Sequence, residues 1–314
     1  MAARKQAIGV IGLGIIGSRV AAAVRRAGYE AWVWNRSPKP EPNFLASPAE
    51  VAETADIILL FVPDGPALIE TMKALEPALA ARHIVVNHAT VSPAEVKEAA
   101  KIAAGKSAGF LDAPFTGSRE AAEAGSMVYF VGGPKELLDR VRPVLSASSS
   151  DILEIGEIGQ ASLLKLATNV VAAATVEAFA EALALVNRGG VPSAKFVEAL
   201  ARHGVRSNLA SMKVPAMITG DFEPRFALKH MFKDMQLALD AGRETGVELP
   251  VAAASAAALM SGIEKGWGDL DFAAIANHYG YPGRELLDEG VVEKLSANGT
   301  PQAKTPAKKG FFGR

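Results

Sequence analysis

The sequence predicts an α/β fold in which a domain built on a parallel sheet is followed by an all-α domain. Short β-type runs alternate with helical segments through the first half of the chain, as in a series of βαβ units. A glycine-rich turn at residues 12–17 directly follows the first of these runs. From Gly159 onward the pattern changes to helices alone, so we place the domain boundary after residue 158.

Seven strands are predicted in the first domain, and a helix at residues 135–145 separates the last two. Between the earlier strands, Ser47 and Ser92 each start the same pattern: a hydroxyl residue, then proline, then glutamate three residues after the hydroxyl. This pattern predicts a helix start, because the hydroxyl caps the helix and the glutamate reaches back to it. The predicted strands are residues 7–11, 31–34, 57–62, 84–87, 109–111, 127–131 and 151–155.

The second domain begins with an alanine-rich helix predicted over residues 160–188, which ends at Gly189 and Gly190. Between Lys165 and Glu177 this helix carries no formal charge, so we expect it to be buried all round, inside its domain or against another subunit. A homodimer or homotetramer follows as a hypothesis. Further helices are predicted at residues 193–203, 229–245, 251–265 and 272–276, and the predicted domains are residues 1–158 and 159–297, with a disordered tail at 298–314.

Composition excludes several classes of function. The chain is 49% hydrophobic and has a formal net charge of -1, so it has no broad electrostatic attraction to nucleic acid or anionic membrane. It has no cysteine, and its five histidines show no metal-ligand spacing, so we expect neither disulfides nor a metal site. No secretory leader is recognised, and residues 166–176, the longest uncharged apolar stretch, are fewer than the roughly 20 that a membrane span needs. We expect a cytoplasmic protein whose partner is a small molecule.

The glycine-rich turn has the spacing of a dinucleotide-binding fingerprint, and it lies between a strand and a helix as that fingerprint requires. Gly12 permits the tight turn, Gly14 lets the backbone approach a pyrophosphate, and Gly17 allows the helix to pack on the strand. The helix N-terminus offers N–H groups to the anion. This predicts a Rossmann-type domain with cofactor-binding residues Gly12, Leu13, Gly14, Ile15, Ile16 and Gly17.

The end of the second strand discriminates between the two nicotinamide cofactors. Enzymes that use NAD usually place an acidic residue there to hold the ribose 2'-hydroxyl. This chain has Asn35, Arg36 and Ser37 instead. Arg36 can hold a 2'-phosphate bidentately and Ser37 can add a hydroxyl donor, so the sequence predicts a preference for NADP(H), with NAD(H) as the second option. A solvated surface arginine is the plainer interpretation.

Lys165 is the best-placed candidate for the proton donor that hydride transfer to a carbonyl requires. Ser162, Lys165 and Asn169 share one helical face, and their neighbours are almost entirely Ala, Leu, Val and Thr. A polar face in such surroundings is costly unless it borders a cavity. Burial would lower the pKa of this lysine, whereas bound carboxylates and phosphates would oppose that change. A lysine that snorkels from a helix start is the alternative interpretation.

Four separated motifs resemble the β-hydroxyacid dehydrogenase family, over nearly all of the chain up to Tyr279. They are the glycine-rich turn, the loop at residues 112–118, the segment 159–169 and Lys233-Asp234-Met235. Residues 226–235 and 268–272 look most like the glyoxylate/succinic semialdehyde reductase subgroup. The resemblance implies hydride transfer between a nicotinamide and a small carboxylate-bearing aldehyde, such as glyoxylate or succinic semialdehyde.

The resemblance also implies roles for single residues. Lys165 matches the catalytic lysine, and Asn169 matches the amide beside it that contacts substrate. Thr90 matches a threonine near the nicotinamide, and Lys233 matches a lysine that reaches cofactor and substrate. The loop that holds the substrate carboxylate is matched by Thr116, Gly117 and Ser118, the substrate pocket by Phe226 and Asp234, and further cofactor contacts are expected at Val62 and Pro63.

Three departures from the family pattern leave the preferred substrate open. Phe115-Thr116 stands where Val-Ser is usual, Ala161 replaces a common glycine, and the segment 87–89, Asn-His-Ala, replaces a usual Asp-x-Ser. His88 invites an acid/base interpretation, against the plainer one that it satisfies a backbone group.

Three alternative functions stay open beside the reductase. One is an NAD-dependent 3-hydroxyisobutyrate-type dehydrogenase. The second is an imine reductase, which Lys165 argues against because imine-reducing relatives generally carry another residue there. The third is a cofactor-binding scaffold without turnover, like a chromatin-associated branch of the superfamily that lacks the lysine. The joint presence of Lys165, Asn169 and Thr116 argues against the scaffold.

Overall fold

The computed structural model describes residues 6–280, which divide into two compact units. The first unit comprises residues 6–175 and 223–275, and the second comprises residues 176–222 and 276–280. Strands give way to helices between Gly156 and Gln160, but the first unit continues into the helices that follow. The predicted division after residue 158 therefore stays a prediction, and the predicted tail lies outside the described residues.

The first unit is built on one sheet, in which the strand order is β2-β1-β3-β4-β5-β7-β6 and β8 pairs with β7. Strands β1 to β5 are parallel, β7 is antiparallel to β5 and β6, and β8 is parallel to β7. The predicted Rossmann-type parallel sheet is confirmed. The sequence does not predict β6, because a strand of two residues is too short to show a recognisable pattern. The strands are β1 (Ala7–Ile11), β2 (Glu30–Trp34), β3 (Ile57–Leu60), β4 (Ile84–Asn87), β5 (Gly109–Asp112), β6 (Phe115–Thr116), β7 (Met127–Gly132) and β8 (Ser149–Gly156).

Most helices follow the predicted pattern, but the short helix Arg119–Ala124 and the longer helix Asn208–Thr219 are not among the predicted ones. The segment Asn208–Thr219 is helical although the sequence analysis does not predict it, because Pro215 interrupts the pattern that normally identifies a helix. The helices are α1 (Ile15–Arg26), α2 (Pro48–Thr54), α3 (Gly65–Leu75), α4 (Pro93–Ala104), α5 (Arg119–Ala124), α6 (Lys135–Leu145), α7 (Gln160–Arg188), α8 (Ser193–Leu200), α9 (Asn208–Thr219), α10 (Leu228–Thr245) and α11 (Pro250–Glu264), with 3-10 helices at Glu76–Ala78 and Phe272–Tyr279.

The two serine-proline starts behave differently in detail. Ser92 forms a full capping box with Glu95, in which each side chain bonds the backbone of the other residue. Ser47 accepts a hydrogen bond from the backbone N–H of Glu50, but the Glu50 carboxylate accepts from Ala46 instead of from Ser47. Both serines nevertheless cap their helices as the sequence predicts.

The core lies in two layers, one on each face of the sheet. Alternate residues of a strand enter opposite layers, as Ile57 and Ile58 do in β3, because successive side chains of a strand point to opposite faces. With both faces covered, the carboxyl ends of β1, β3 and β4 form one edge from which the connecting loops emerge. In such folds ligands bind outside this edge, where the strand order reverses. One layer contains Val20, Val24, Leu138 and Val141 of α1 and α6, and the other contains Val51, Leu68, Met72 and Val96 of α2, α3 and α4.

The sequence predicts that α7 is buried on all sides, either inside its domain or against another subunit. Within this chain, α7 is not buried on all sides. The side chains of Leu163 and Val171 are 40% and 66% exposed. By length and composition, α7 is the helix in the described part of the chain that could cross a membrane, but core helices of soluble proteins pass the same test. Burial against another subunit stays a prediction, as does the cytoplasmic location.

Candidate active site

The three glycines of the turn after β1 have different surroundings, which match their predicted roles. Gly12 has φ +94, a backbone conformation that favours glycine, and a Cβ there would lie 2.2 Å from the carbonyl oxygen of Phe61. A Cβ on Gly17 would lie 1.9 Å from the carbonyl oxygen of Gly12, so the helix could not pack this closely with any other residue. A Cβ on Gly14 would meet nothing within 4 Å, so this position is open for the approach of a ligand.

Asn35 holds the glycine-rich turn against the end of β2. Its Oδ1 accepts a 2.8 Å hydrogen bond from the backbone N–H of Leu13, and its Nδ2 donates to the carbonyl oxygen of Ser37 at 2.8 Å. Arg36 and Ser37 are exposed. Lys39, which the sequence analysis missed, donates from Nζ to the carbonyl oxygen of Leu13 and so adds a second cation beside the turn. A lysine three residues after Arg36 was the available signal.

The residues of this turn fit a dinucleotide. The N-terminus of α1 has no side-chain cap, so its first N–H groups remain available to an anion. Gly14 leaves the approach open, Lys39 contacts the turn at Leu13, and Arg36 directly follows Asn35, which also contacts Leu13. Val62 is half-buried and Pro63 is exposed, and they are the second and third residues after β3, at the same edge of the sheet.

Lys165 is half-buried in the second turn of α7, in the first unit. Burial lowers the pKa of its ammonium group below the ordinary value, the charge of Asp234 opposes this change and the charge of Lys233 reinforces it. Because the opposing carboxylate comes from α10, the tertiary structure controls how readily this lysine releases its proton.

A short network joins α7, α10 and the loop after β4. Asn169 Nδ2 donates a 2.6 Å hydrogen bond to Oδ2 of Asp234, whose side chain is only 1% exposed. The other carboxylate oxygen of Asp234 lies 3.0 Å from Nζ of Lys233. Lys233 Nζ also donates to the carbonyl oxygen of Thr90. The structure thus joins four residues that the resemblance selects, Asn169, Asp234, Lys233 and Thr90, and the charges of Asp234 and Lys233 act on the nearby Lys165.

In the loop at residues 112–118, which contains the two-residue β6, Thr116 and Gly117 are exposed, whereas Ser118 is half-buried. Ser118 Oγ caps α5 by accepting from the backbone N–H of Ala121 at 3.4 Å, and its hydrogen bond to Glu120 lowers the pKa of that carboxyl. The Ser118 hydroxyl is therefore engaged locally, and the exposed hydroxyl of Thr116 is the more accessible donor of this loop.

One ion pair and one longer-range charge interaction link the base of this loop to the segment before α10. Arg119 Nη1 donates to Glu223 Oε1 at 2.8 Å. The pKa of Glu120 is lowered chiefly by its hydrogen bond with Ser118, and to a smaller extent by the positive charge of Arg225. Phe226 follows directly in sequence, its ring centroid 6.3 Å from that of His230, one turn before Asp234 on α10. No direct contact joins Thr116 to Lys165 in residues 6–280, so their cooperation stays a prediction.

Asp112, the first residue of the loop at residues 112–118, has a structural role that no local sequence pattern predicts. It is fully buried and accepts hydrogen bonds from the backbone N–H of Gly159 at 3.2 Å and of Ser162 at 2.9 Å, and from the Ser162 hydroxyl at 2.8 Å. Burial raises its pKa to about 6, against the effect of these hydrogen bonds. Ser162 therefore binds the end of β5, and the predicted polar face of α7 is reduced to Lys165 and Asn169.

His88 satisfies a backbone group, as the plainer interpretation expected. Its Nδ1 donates to the carbonyl oxygen of Ala113 at 2.7 Å, and burial lowers its pKa to about 4. A buried imidazole that stays neutral near pH 7 does not favour the acid/base interpretation. In the part of the chain that the structure describes, no group of three or more side chains has the composition to hold a metal ion.

Comparisons with known proteins agree on both halves of the chain. Residues 7–156 match the family described as the NAD binding domain of 6-phosphogluconate dehydrogenase. Residues 159–279 match the family described as "NAD-binding of NADP-dependent 3-hydroxyisobutyrate dehydrogenase".

Individual relatives match this chain over most of its length. Glyoxylate/succinic semialdehyde reductase 2 of Arabidopsis thaliana is 30% identical over 278 residues, which are 85% of this chain and 78% of that protein. The 2-(hydroxymethyl)glutarate dehydrogenase of Eubacterium barkeri is 30% identical over 280 residues, 85% of this chain and 93% of that protein. The solved structure of Mycobacterium tuberculosis 3-hydroxyisobutyrate dehydrogenase with L-serine superposes with a TM-score of 0.80, at 25% identity, covering 88% of this chain and 99% of that one.

Proposed function

The chain belongs to the β-hydroxyacid dehydrogenase family, and from this premise we propose that it reduces a small carboxylate-bearing aldehyde with NADP(H), using Lys165 as the proton donor. Its relatives are by name oxidoreductases of hydroxy acids and aldehyde acids. The observation that carries the proposal is the environment of Lys165. This lysine is half-buried, burial lowers the pKa of its ammonium group, and the charge of Asp234 opposes that change.

The chemistry follows from what each residue can hold or donate. When bound, the reduced nicotinamide supplies the hydride. Lys165 carries a proton that it can donate to the forming alkoxide, and its lowered pKa makes this donation easier near neutral pH. The charge of Asp234 raises the pKa of Lys165 against the effect of burial and so favours the ammonium form, which can stabilise the developing negative charge on the oxygen.

The network around Lys165 orients the neighbouring groups. Asn169 is fixed by its hydrogen bond to Asp234, so the rotation of its amide is restricted. Lys233 is held between Asp234 and the carbonyl oxygen of Thr90, which ties α10 to the edge of the sheet. Fixed side chains lose little conformational entropy when substrate binds, which favours binding in one orientation.

The substrate carboxylate is assigned to the Thr116–Ser118 loop. The exposed Thr116 hydroxyl and the backbone N–H groups of the loop are donors suited to an anion. Phe226 adds an apolar surface near α10, and Asp234 disfavours a second carboxylate close to itself through charge repulsion. These features support glyoxylate or succinic semialdehyde, the substrates named in the related reductases.

The preference for NADP(H) rests on charge at the end of β2. Arg36 is exposed there, Ser37 adds a hydroxyl, and Lys39 is a second cation at the same turn. A dianionic 2'-phosphate would gain charge-assisted hydrogen bonds from this set, whereas a 2'-hydroxyl would gain only ordinary ones.

The proposal is tested by steady-state turnover with a panel of aldehyde acids and with 3-hydroxyisobutyrate, using both cofactors in both directions. Lys165→Ala should lower turnover at least about 100-fold, the scale of lost acid/base catalysis, and should leave NADPH binding by fluorescence nearly intact. Lys101→Ala, at an exposed position of α4, is the matched control and should behave like the wild type. Near-normal turnover by Lys165→Ala, or cofactor binding without any turnover by the wild type, would contradict the proposal.

A further inference from the structure

His88 lies at a junction between the two loops that border the proposed site. It directly follows β4, two residues before Thr90, and its backbone N–H donates to the carbonyl oxygen of Leu60 in β3. Its side chain reaches the end of the adjacent strand β5, where Nδ1 donates to the carbonyl oxygen of Ala113 at 2.7 Å. Ala113 is the first residue after β5 and lies three residues before Thr116.

The imidazole is also one member of an aromatic group that consists of Phe61, His88, Phe115 and Tyr129. The His88 ring stacks on Phe61 with centroids 4.5 Å apart and planes at 15°, and it lies 4.8 Å from the ring of Tyr129. Phe115 packs on both of these partners, with centroids 6.2 Å from Phe61 and 6.4 Å from Tyr129. The group therefore supports the residue directly before Thr116 and, through Phe61, the backbone against which Gly12 packs.

The hydrogen-bonding state of His88 suits it for holding a loop and not for exchanging protons. Because Nδ1 carries the hydrogen that is donated to Ala113, Nε2 of the neutral ring is an acceptor. Nε2 is buried and has no hydrogen-bond partner among residues 6–280. A proton on Nε2 would create an unpaired charge in an apolar environment, which agrees with the lowered pKa of about 4.

We propose that His88 is a positioning residue that fixes the substrate loop, Thr116 to Ser118, and so raises the affinity for the substrate carboxylate without taking part in proton transfer. The inference rests on the proposed function, because it assigns the carboxylate to that loop. Without the hydrogen bond from Nδ1, the Ala113 carbonyl loses its side-chain donor, and the backbone that leads into Thr116 gains freedom that binding must then remove.

The test compares two variants of His88 with one variant of a matched histidine. His88→Phe keeps a stacking ring but removes the donor to Ala113, and His88→Asn places an amide Nδ2 near the original Nδ1 but removes the ring. His83 directly precedes β4 as His88 directly follows it, is equally buried, and also contacts a backbone carbonyl, that of Ala52 at 2.7 Å. His83→Phe therefore controls for the loss of a buried imidazole far from the loop.

The expected result is a separation of binding from chemistry. His88→Phe should raise the KM for the aldehyde acid about three- to tenfold, the effect of one lost hydrogen bond, with kcat within about twofold and unchanged NADPH affinity. His88→Asn should restore most of the KM, and His83→Phe should lower the thermal unfolding midpoint without changing the KM. A KM for His88→Phe equal to that of His83→Phe, or a matched loss of kcat, overturns the proposal.

A measurement that does not depend on turnover separates this inference from the proposed function. Amide hydrogen exchange should become faster in residues 113–118 of His88→Phe and stay unchanged there in His83→Phe. Faster exchange with no turnover by the wild type on any aldehyde acid would refute the proposed function and retain the role of His88 in fixing the loop. Turnover by the wild type with unchanged exchange in residues 113–118 would refute the role of His88 alone.

Discussion

Asp112 accepts hydrogen bonds from both the backbone N–H and the hydroxyl of Ser162, so the end of β5 holds the first turn of α7. The carboxylate acts as a helix cap supplied by a distant strand, because it satisfies N–H groups that have no acceptor within the helix. Lys165 lies one turn further along α7. The direction of this helix, and with it the place of the lysine, therefore depends on a buried acid.

Asp112→Asn should change how stability depends on pH. Burial raises the pKa of Asp112 from 3.8 to about 6, so its proton-linked stabilisation is fully present below 3.8 and is lost as pH rises through about 6. We expect the thermal unfolding midpoint of the wild type, relative to Asp112→Asn, to rise as pH falls through this range. A difference that stays constant with pH would contradict the raised pKa.

His88→Phe provides a control of opposite sign in the same pH scans. Burial lowers the pKa of His88 from 6.5 to about 4, so its proton-linked stabilisation is present above 6.5 and is lost as pH falls through about 4. The wild type should therefore lose stability relative to His88→Phe over this range, while it gains stability relative to Asp112→Asn.

Asp234→Asn should move the pH dependence of aldehyde reduction to lower pH. Asp234 raises the pKa of Lys165 against the effect of burial, so removing its charge lowers that pKa further. Because reduction requires the protonated lysine, activity should fall at a lower pH in this variant. The pH profile of kcat checks this, and Asp240→Asn, an exposed acid on the same helix, should leave it unchanged. A shift to higher pH would exclude the proposed coupling.

Arg36→Ala should lower the ratio of NADPH to NADH efficiency by at least about tenfold, as expected for a lost charge-assisted hydrogen bond. Lys39→Ala should act in the same direction with a smaller effect, since Lys39 already bonds the carbonyl of Leu13. The ratio of kcat/KM for the two cofactors measures both effects. Arg82→Ala, whose partner is the surface residue Asp56, is the control. An unchanged ratio in Arg36→Ala would refute the predicted cofactor preference.

Val171→Asp should weaken the predicted homo-oligomer. Val171 is 66% exposed on an apolar stretch of α7, and a carboxylate buried between subunits would lose hydration without gaining a partner. We expect the dissociation constant of the oligomer, measured by light scattering over a range of concentrations, to increase at least about tenfold. Val205→Asp, at another exposed valine, is the control. A wild type that is monomeric at every concentration would refute the oligomer itself.

The sequence by itself determined the order and type of most elements, because periodicity, caps and turns depend on residues within a few positions of one another. The same is true of the glycine-rich turn. The roles predicted for Gly12, Gly14 and Gly17 agree with the surroundings of each glycine. The short β6, the six-residue α5 and the proline-containing α9 were missed, since none of them has a strong local pattern.

Only the tertiary structure decided which polar groups meet. Asp112 and Ser162 are 50 residues apart in sequence, and Lys233 and Thr90 are 143 apart, so no local spacing could pair them. The same holds for His88, whose partner Ala113 directly follows the neighbouring strand, because β4 and β5 are adjacent in the sheet. Burial and charge at these meeting points depend on strand order and helix packing, and they fix the pKa of Lys165 and the shape of the substrate loop.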